Sequence, residues 1–549
     1  MHIAGYSAVT RACRDTAARA AHSHALNGKT GATASDAVAA RAQTMATQTL
    51  VLQGESELRL EVDFDKIVVV TVKEGIAEVL GLELAQGKEY AFAGAKVAIY
   101  TWFGARVEVV GETTSCYATG RGETTQHATL NAHSYLETRR DEAARKVSEA
   151  IAGASYKACD AGLSIAKGDK APPTGDASAL SGVCADYQKA CAPTKDCRGP
   201  RVLVCGPTDS GKSTLCATLC AYAARLGREP LFVDLDPGLG DCGAPPGAIA
   251  ACRVVREHAT VQEGCVGGVD DAPLAFWLGR TEPQDHGELY DHVVEQLAKA
   301  CAERLHADRN LDVSGLIINT SGWVDGDGFQ SLLRMCSAFS VDCVLVLAHD
   351  RLFADLRAAL PRTVAVAKLA RSGGVVQRDP AHRRRARNKK VHEYFYGPQS
   401  HVRGLSKRGD DAADLEKMWP PLAPSTHELP FRDCKVYQIM AGAVRDDAML
   451  PVGQASLLEA LQVVAVPVSA ALVHTVLAVC HVDDAEEAPA SSTTSPHQHL
   501  LDRAAGGFVV VINVDMDAQT ITLLAPCSGE LPSCHLLMGT LEWMESSFT

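Results

Sequence analysis

The sequence predicts a multidomain α/β protein, with a central parallel sheet flanked by N-terminal and C-terminal β-rich domains. Three observations carry that reading. Short β-branched runs crowd residues 48–110, apolar runs alternate with helical segments from about 200 to 350, and strand-like runs return after Arg432. A chain of 549 residues is also too long for one ordinary core, which implies about two to four domains.

Residues 1–47 are Ala-rich with five Lys/Arg and two acids and show no sustained apolar periodicity, so they read as a disordered tail. An Arg-rich, acid-poor start is also compatible with an organelle transit peptide; Asp15 and Asp36 count against it. Leu58-Arg59-Leu60-Glu61-Val62 alternates, and Lys66–Val72, Lys96–Trp102 and Arg106–Val110 are β-rich runs at short spacing. They predict a β domain over 48–137, ending in a helix-like run around His133–Arg145. The stretch from about 154 to 198, with Lys170-Ala171-Pro172-Pro173-Thr174-Gly175, reads as linker or insertion, so that helix and linker together fill 138–198. In a domain over 199–430, strands are expected at Val202–Cys205, Leu231–Leu235, Val313–Asn319 and Cys343–Ala348, with a helix over Gln330–Phe339. A final β-rich domain, 431–549, has runs at Lys435–Ile439, Leu461–Pro467, Val473–Val479, Gly507–Val514 and Thr520–Ala525. The polar segment Asp483–Arg503 reads as an exposed loop, with His481, His497 and His499 solvated.

Gly206-Pro207-Thr208-Asp209-Ser210-Gly211-Lys212-Ser213-Thr214 matches the phosphate-binding pattern G-x-x-x-x-G-K-[ST] between the apolar run Arg201–Cys205 and a helical pattern, Leu215, Leu219 and Ala223. The glycines let backbone N–H groups turn inward around an oxyanion, the helix N-terminus adds its positive end, and Lys212 adds a point charge. The central sheet is therefore that of a P-loop NTPase, and its ligands are expected at the C-terminal ends of the strands. Asp236, at the exit of Leu231–Leu235, is placed either to help hold Mg²⁺ and accept a proton or merely to cap a loop; Asp234, on the same side, either assists or caps. Trp323, in Asn319-Thr320-Ser321-Gly322-Trp323, either stacks on a base or belongs to the core. The basic run Arg378–Lys390 reads in isolation as a solvated helix face or a nuclear-import patch. In a phosphoryl-transfer enzyme it is the one run able to supply mobile arginines over the phosphates.

Several classes are disfavoured. A net charge of −13 argues against a protein coated in nucleic-acid-binding surface, though not against a local basic groove. No apolar run reaches about 18 residues, so no membrane span is expected. The 19 cysteines are scattered, many of them within apolar runs, which suits free buried thiols. Cys184, Cys191 and Cys197 lack zinc-site spacing. Asn388-Lys389-Lys390-Val391 lacks the acid of a guanine-recognition element.

The order of segments resembles the eukaryotic RNA 5′-hydroxyl polynucleotide kinase family, from about residue 50 to the C-terminus. The resemblance rests on Gly54-Glu55-Ser56-Glu57-Leu58-Arg59, Gly94-Ala95-Lys96-Val97, the loop Gly206–Thr214, Asn319–Val324, Lys368-Leu369-Ala370-Arg371-Ser372-Gly373-Gly374-Val375-Val376 and Glu393-Tyr394-Phe395-Tyr396-Gly397. It implies an ATP-dependent kinase with Mg²⁺, acting on RNA 5′-hydroxyl ends. Gly206 and Asp209, Ser210, Gly211, Lys212, Ser213 and Thr214 would hold the ATP phosphates. Ser213 or Thr214, with Asp236, would reach Mg²⁺, and Glu57 and Lys96 would contact the adenosine end. Asp236 would be the general base, Thr281 the clasp, Arg378 and Arg383 the lid, and Trp323 the base-stacking residue. The family also implies a scaffold subunit of the pre-mRNA cleavage factor and the tRNA-splicing endonuclease as partners, no membrane, and a nuclear location, or an organelle if the tail is a transit peptide. Leu239 and His286 stand where the family carries amides. The alternatives are a catalytically weak or inactive ATP-binding scaffold of the cleavage factor and a general P-loop ATPase or GTPase.

Overall fold

The computed structural model describes residues 47–160, 197–256, 259–261, 273–397, 422–441, 461–481 and 497–544. The expected tail except Thr47, which opens the first strand, most of the 154–198 insertion with Cys184 and Cys191, and most of the polar segment after Asp483 lie outside the described residues.

The N-terminal domain comprises β1 (Thr47–Leu52), β2 (Ser56–Val62), β3 (Val68–Gly75), β4 (Glu78–Val79), β5 (Leu82–Glu83), β6 (Glu89–Phe92), β7 (Ala95–Thr101), β8 (Ala105–Val110) and β9 (Ser115–Ala118). They form two sheets, β1-β8-β3-β6 and β5-β4-β7-β2-β9. Alternation explains their shared core: Leu58, Leu60 and Val62 from one sheet and Val68, Val70 and Val72 from the other are buried in one cluster. The helix that follows, α1 (Gln126–Asp160), starts earlier and runs further than the sequence suggests, taking in the first residues assigned to the linker. The Thr124 hydroxyl accepts the Gln126 N–H at 3.2 Å, and Leu136, Arg140, Ala143 and Val147 are buried at helical spacing.

The central sheet contains β10 (Arg201–Cys205), β11 (Leu231–Leu235), β12 (Ala248–Arg253), β13 (Leu274–Trp277), β14 (Leu316–Thr320), β15 (Cys343–Leu347) and β16 (Ala365–Leu369), in the order β13-β12-β11-β14-β10-β15-β16. The five strands from β11 to β16 in that order are parallel; β12 and β13 add an antiparallel edge. Its helices are α2 (Lys212–Arg225), α3 (Gly287–Ala307), α4 (Arg309–Ser314), α5 (Asp327–Ala338), α6 (Asp350–Ala359) and α7 (Pro380–Tyr396). Every residue of β11, β14 and β15 is buried, as a sheet covered on both faces requires. One strand starts later than expected. Asp308 caps α4, which includes Val313, and Gly315 at φ 80° breaks the helix before Leu316.

The C-terminal sheet contains β17 (Ser425–Pro430), β18 (Lys435–Ala441), β19 (Leu461–Val466), β20 (Thr475–Cys480), β21 (Ala505–Asp515), β22 (Thr520–Ala525) and β23 (His535–Glu542), in the order β17-β22-β21-β20-β23-β18-β19. Its two faces go to different cores. Val476, Ala478 and Cys480 join the core of the central sheet, while Leu477 and Val479 join a second cluster with Val509, Val511 and Leu523. The N-terminal domain is tied to α2 instead by a buried polar knot, in which the Tyr222 hydroxyl donates to Glu78 Oε1 at 2.6 Å and Arg225 donates to Glu78 Oε2 at 2.9 Å.

Candidate functional site

The turn after β10 is held open by backbone geometry. Gly206 has φ 151°, and a Cβ there would sit 2.7 Å from the Leu347 carbonyl oxygen; Gly211 has φ 95°. Asp209 occupies the left-handed region at φ 53°, which aspartate tolerates better than most residues. No side chain caps α2, so the N–H groups of its first turn remain for an anion. The buried Ser210 hydroxyl has no partner among the described residues. Lys212 is buried and donates to the Pro207 carbonyl at 2.9 Å. Burial pulls its pKa down, against the opposing charges of Asp236 and Asp209.

On the β11–β14 side, acids and an amide form a chain leading back to the loop. Asn319 Nδ2 donates to Asp234 Oδ1 at 2.8 Å and to Ser213 Oγ at 3.2 Å. The Asp236 N–H donates to Asp234 Oδ1 at 3.1 Å, and the Gly238 N–H donates to Asp236 Oδ1 at 3.0 Å. Burial lifts both carboxyls above the usual range. For Asp234 the charges of Asp241 and Asp236 add to the rise; for Asp236 the Gly238 hydrogen bond and Lys212 oppose it. Asp236 thus faces the loop lysine, and Asp234 is tied through Asn319 to Ser213. Thr214 is exposed and stands outside this chain.

Segment Gly279–His286 closes another side. Gly238 lies against the Thr281 carbonyl, 3.5 Å from where its Cβ would stand, so the backbone at Thr281 adjoins the turn that holds Asp236. Gly279 is braced from β23, its carbonyl accepting the Thr540 N–H at 2.7 Å and the Thr540 hydroxyl at 3.2 Å. His286 caps α3 by accepting the Leu289 N–H, and its buried Nε2 has no partner among the described residues. Trp323 stands next along the chain from the β14 exit. It packs partly on the central core beside Tyr290, with ring centroids 6.5 Å apart, and stays half-buried at the strand exit.

The basic run Arg378–Lys390 is no free solvated face. Its α7 portion begins beside the loop: the Arg378 N–H donates to Asp209 Oδ2 at 3.0 Å and Arg383 Nη2 donates to the same oxygen at 2.7 Å. Lys389 donates to the Ala93 carbonyl at 3.1 Å, His382 meets Phe64 edge-on at 5.1 Å, and Lys390 lies 3.6 Å from Asp241. Just before α7, Val375 covers Gly211.

Glu57 is buried in β2 and paired by Arg59 Nε at 2.6 Å, while Lys96 reaches Glu61 at 3.2 Å. Arg59 also lies against Gly374, 2.7 Å from where a Cβ there would stand, bridging the N-terminal domain to the segment that leads into α7. Two participants, Arg59 and Asn319, lie outside the candidate set read from sequence. Their signals are modest: Arg59 shares a strand face with Glu57 at i+2, and Asn319 is a polar residue ending an apolar strand. Among the described residues no group of three or more His, Cys, Asp or Glu side chains is arranged to hold a metal by itself, and Cys205, Cys216 and Cys220 next to the loop are free thiols.

Family models match almost the whole described chain. One, the mRNA cleavage and polyadenylation factor CLP1 P-loop, covers residues 206–397; the pre-mRNA cleavage complex II protein Clp1 covers 422–545; and the N-terminal beta-sandwich domain of polyadenylation factor covers 51–143. The chain is 34% identical over 495 residues to a polyribonucleotide 5′-hydroxyl-kinase Clp1 of Gallus gallus, spanning 90% of this chain and 96% of that one. It is 33% identical to that of Homo sapiens, with the same coverage. A solved wild-type Clp1p–Pcf11p complex has the same fold, with a TM-score of 0.65 at 18% identity over 91% of this chain and 99% of that one.

Proposed function

The chain belongs to the Clp1 family, and from that premise we propose that it is an ATP-dependent kinase of RNA 5′-hydroxyl ends, working in pre-mRNA 3′-end cleavage and polyadenylation. The observation that carries the reading is convergence. The loop lysine, the carboxylate of Asp236, the clasp backbone and the lid arginines come from four separate segments and meet around one phosphate-binding turn. Such a reaction needs positioning and charge neutralisation more than covalent help.

In this reading the N–H groups of Gly206 to Thr214 take the triphosphate, and Glu57 and Lys96 take its adenosine end. Arg59 holds Glu57 in place. Asp236 accepts the proton of the ribose 5′-hydroxyl as that oxygen bonds to the γ-phosphorus. The bond from the γ-phosphorus to the β–γ bridging oxygen breaks and ADP leaves. Lys212, Arg378 and Arg383 meet the charge that develops on the transferred oxygens, Thr281 pins the acceptor end, and Trp323 offers its open face to the first base. The Ser213 hydroxyl with Asp234 and Asp236 suits Mg²⁺, since all three offer hard oxygen donors, and Asn319 ties Ser213 to Asp234. The metal would neutralise charge between the β- and γ-phosphates.

A cleavage-factor scaffold subunit is the proposed partner, since a solved relative is titled as a complex with Pcf11p. A role beside the tRNA-splicing endonuclease would use the same acceptor chemistry, and both settings place the protein in the nucleus. One observation favours a second reading, an ATP-holding scaffold that does not turn over: Leu239 follows the Asp236 turn where the family carries an amide. Transfer of label from γ-labelled ATP to a 5′-hydroxyl RNA decides between them. Transfer by wild type and none by Lys212→Ala supports the kinase. Bound ATP without transfer by wild type supports the scaffold.

A further inference from the structure

A carboxylate is an odd group to build into a turn that collects phosphates, because like charges repel across so short a distance. Asp209 nevertheless sits inside the Gly206–Thr214 loop, and its side chain is taken up by the segment that opens α7. Its Oδ2 accepts two hydrogen bonds from the lid, the Arg378 N–H at 3.0 Å and Arg383 Nη2 at 2.7 Å. Arg383 in turn donates through Nε to the Arg378 carbonyl at 3.3 Å, so backbone and side chain of the lid entry are fastened together on one oxygen. The contact is well shielded: the Asp209 side chain is 12% exposed and that of Arg383 33%. A bifurcated, charge-assisted contact of this kind fixes position as well as energy.

We propose that Asp209 is a positioning residue which anchors the lid to the phosphate loop and sets Arg383 at the distance from which it meets the transferred phosphoryl group. The residue therefore contributes to ATP binding through its backbone and to phosphoryl transfer through its side chain. Two consequences separate these parts. Loss of the carboxylate lowers turnover without weakening nucleotide binding, because a negative charge near the phosphates is removed at the same time. The effect also depends on Arg383 being present.

The proposal rests on the kinase reading for its kinetic half and on the fold alone for its structural half, so the test has two arms. Asp209→Asn is the variant of choice, since asparagine tolerates φ 53° and keeps an acceptor for the Arg378 N–H while losing the charge that holds Arg383. In the first arm, amide hydrogen exchange over residues 374–390 of the full chain rises at least about tenfold in the variant, while exchange in β10 and α2 is unchanged. In the second, kcat falls about tenfold or more, ATP affinity stays within about twofold, and Asp209→Asn adds nothing further to Arg383→Gln. Unchanged lid exchange in Asp209→Asn overturns the anchor, as does additivity with Arg383→Gln. Wild type without kinase activity but with lid exchange raised in the variant would leave the anchor standing and remove the kinase reading instead.

Discussion

A methyl group at Gly322 is the sharpest probe of how the phosphate loop is supported. Gly322 follows β14 and touches the loop from the neighbouring strand exit. A Cβ built there stands 2.0 Å from Thr208 Oγ1, 2.7 Å from the Thr208 N and 2.8 Å from its Cα. A rotamer change can move the hydroxyl, but the backbone atoms can separate from the methyl only if the loop itself recedes. Restoring ordinary contact, which begins at 3.4 Å, needs about 0.7 Å at the Thr208 N. Forcing a methyl into packed structure costs about 1–3 kcal/mol. If that cost falls on the phosphate-bound geometry, Gly322→Ala weakens ATP binding by about 5- to 140-fold, at 1.4 kcal/mol per decade. Thr208→Ala in the same chain removes only the hydroxyl clash and so restores little. Titration with a fluorescent ATP analogue, alongside a thermal melt, measures this. ATP affinity at the wild-type level, in a variant whose Tm is also unchanged, would refute the claim that the β14 exit buttresses the loop.

Three further outcomes follow from the geometry. Asp236→Asn abolishes transfer, and because burial raises the folded Asp236 pKa above its unfolded value, ionised Asp236 destabilises the fold. That group's stabilisation is fully present below the unfolded pKa and is lost as pH rises through the folded one, so without ligand the variant should melt higher than wild type at pH 7, and the difference should close as pH falls, as thermal melts over pH will show. Gly539→Ala places a Cβ 2.3 Å from both the Cα and the carbonyl oxygen of Gly279, shifting the clasp; steady-state kinetics should show KM for RNA raised several-fold with ATP affinity unchanged. Tyr222→Phe removes a hydrogen bond to buried Glu78 and costs about 1–3 kcal/mol of stability, read by denaturant melts, at the seam between the N-terminal domain and α2.

Much of this architecture is legible in the sequence, because the relevant signals are local. β11 is recovered to the residue since Leu231–Leu235 is a compact apolar run bounded by Pro230 and an acid. The loop is legible because its glycines and Lys212 answer to one ligand chemistry. β12 is harder to see: Ala248-Ile249-Ala250-Ala251-Cys252-Arg253 has one β-branched residue, and only the neighbouring strands make it a strand. The short helix through Val313 hides similarly in an apolar run that looks continuous until Gly315 is placed. Within the site, Lys212, Asp236 and the lid arginines carry their chemistry in their residue type. The Arg59–Glu57 pair and the Asn319 link to Ser213 do not, because each depends on a partner distant in sequence or across strands. For Asp209 the motif gives the right location, and the fold supplies the direction in which its side chain points.

The central claim, that ATP bound at Gly206–Thr214 is given to an RNA end, meets its most direct test in single-turnover transfer from γ-labelled ATP to a 5′-hydroxyl RNA. Wild type, Lys212→Ala and Asp236→Asn should be compared at saturating ATP. Label on the RNA with wild type, and none with either variant, is the predicted result. No transfer by folded, ATP-bound wild type, or equal transfer by Asp236→Asn, would contradict it.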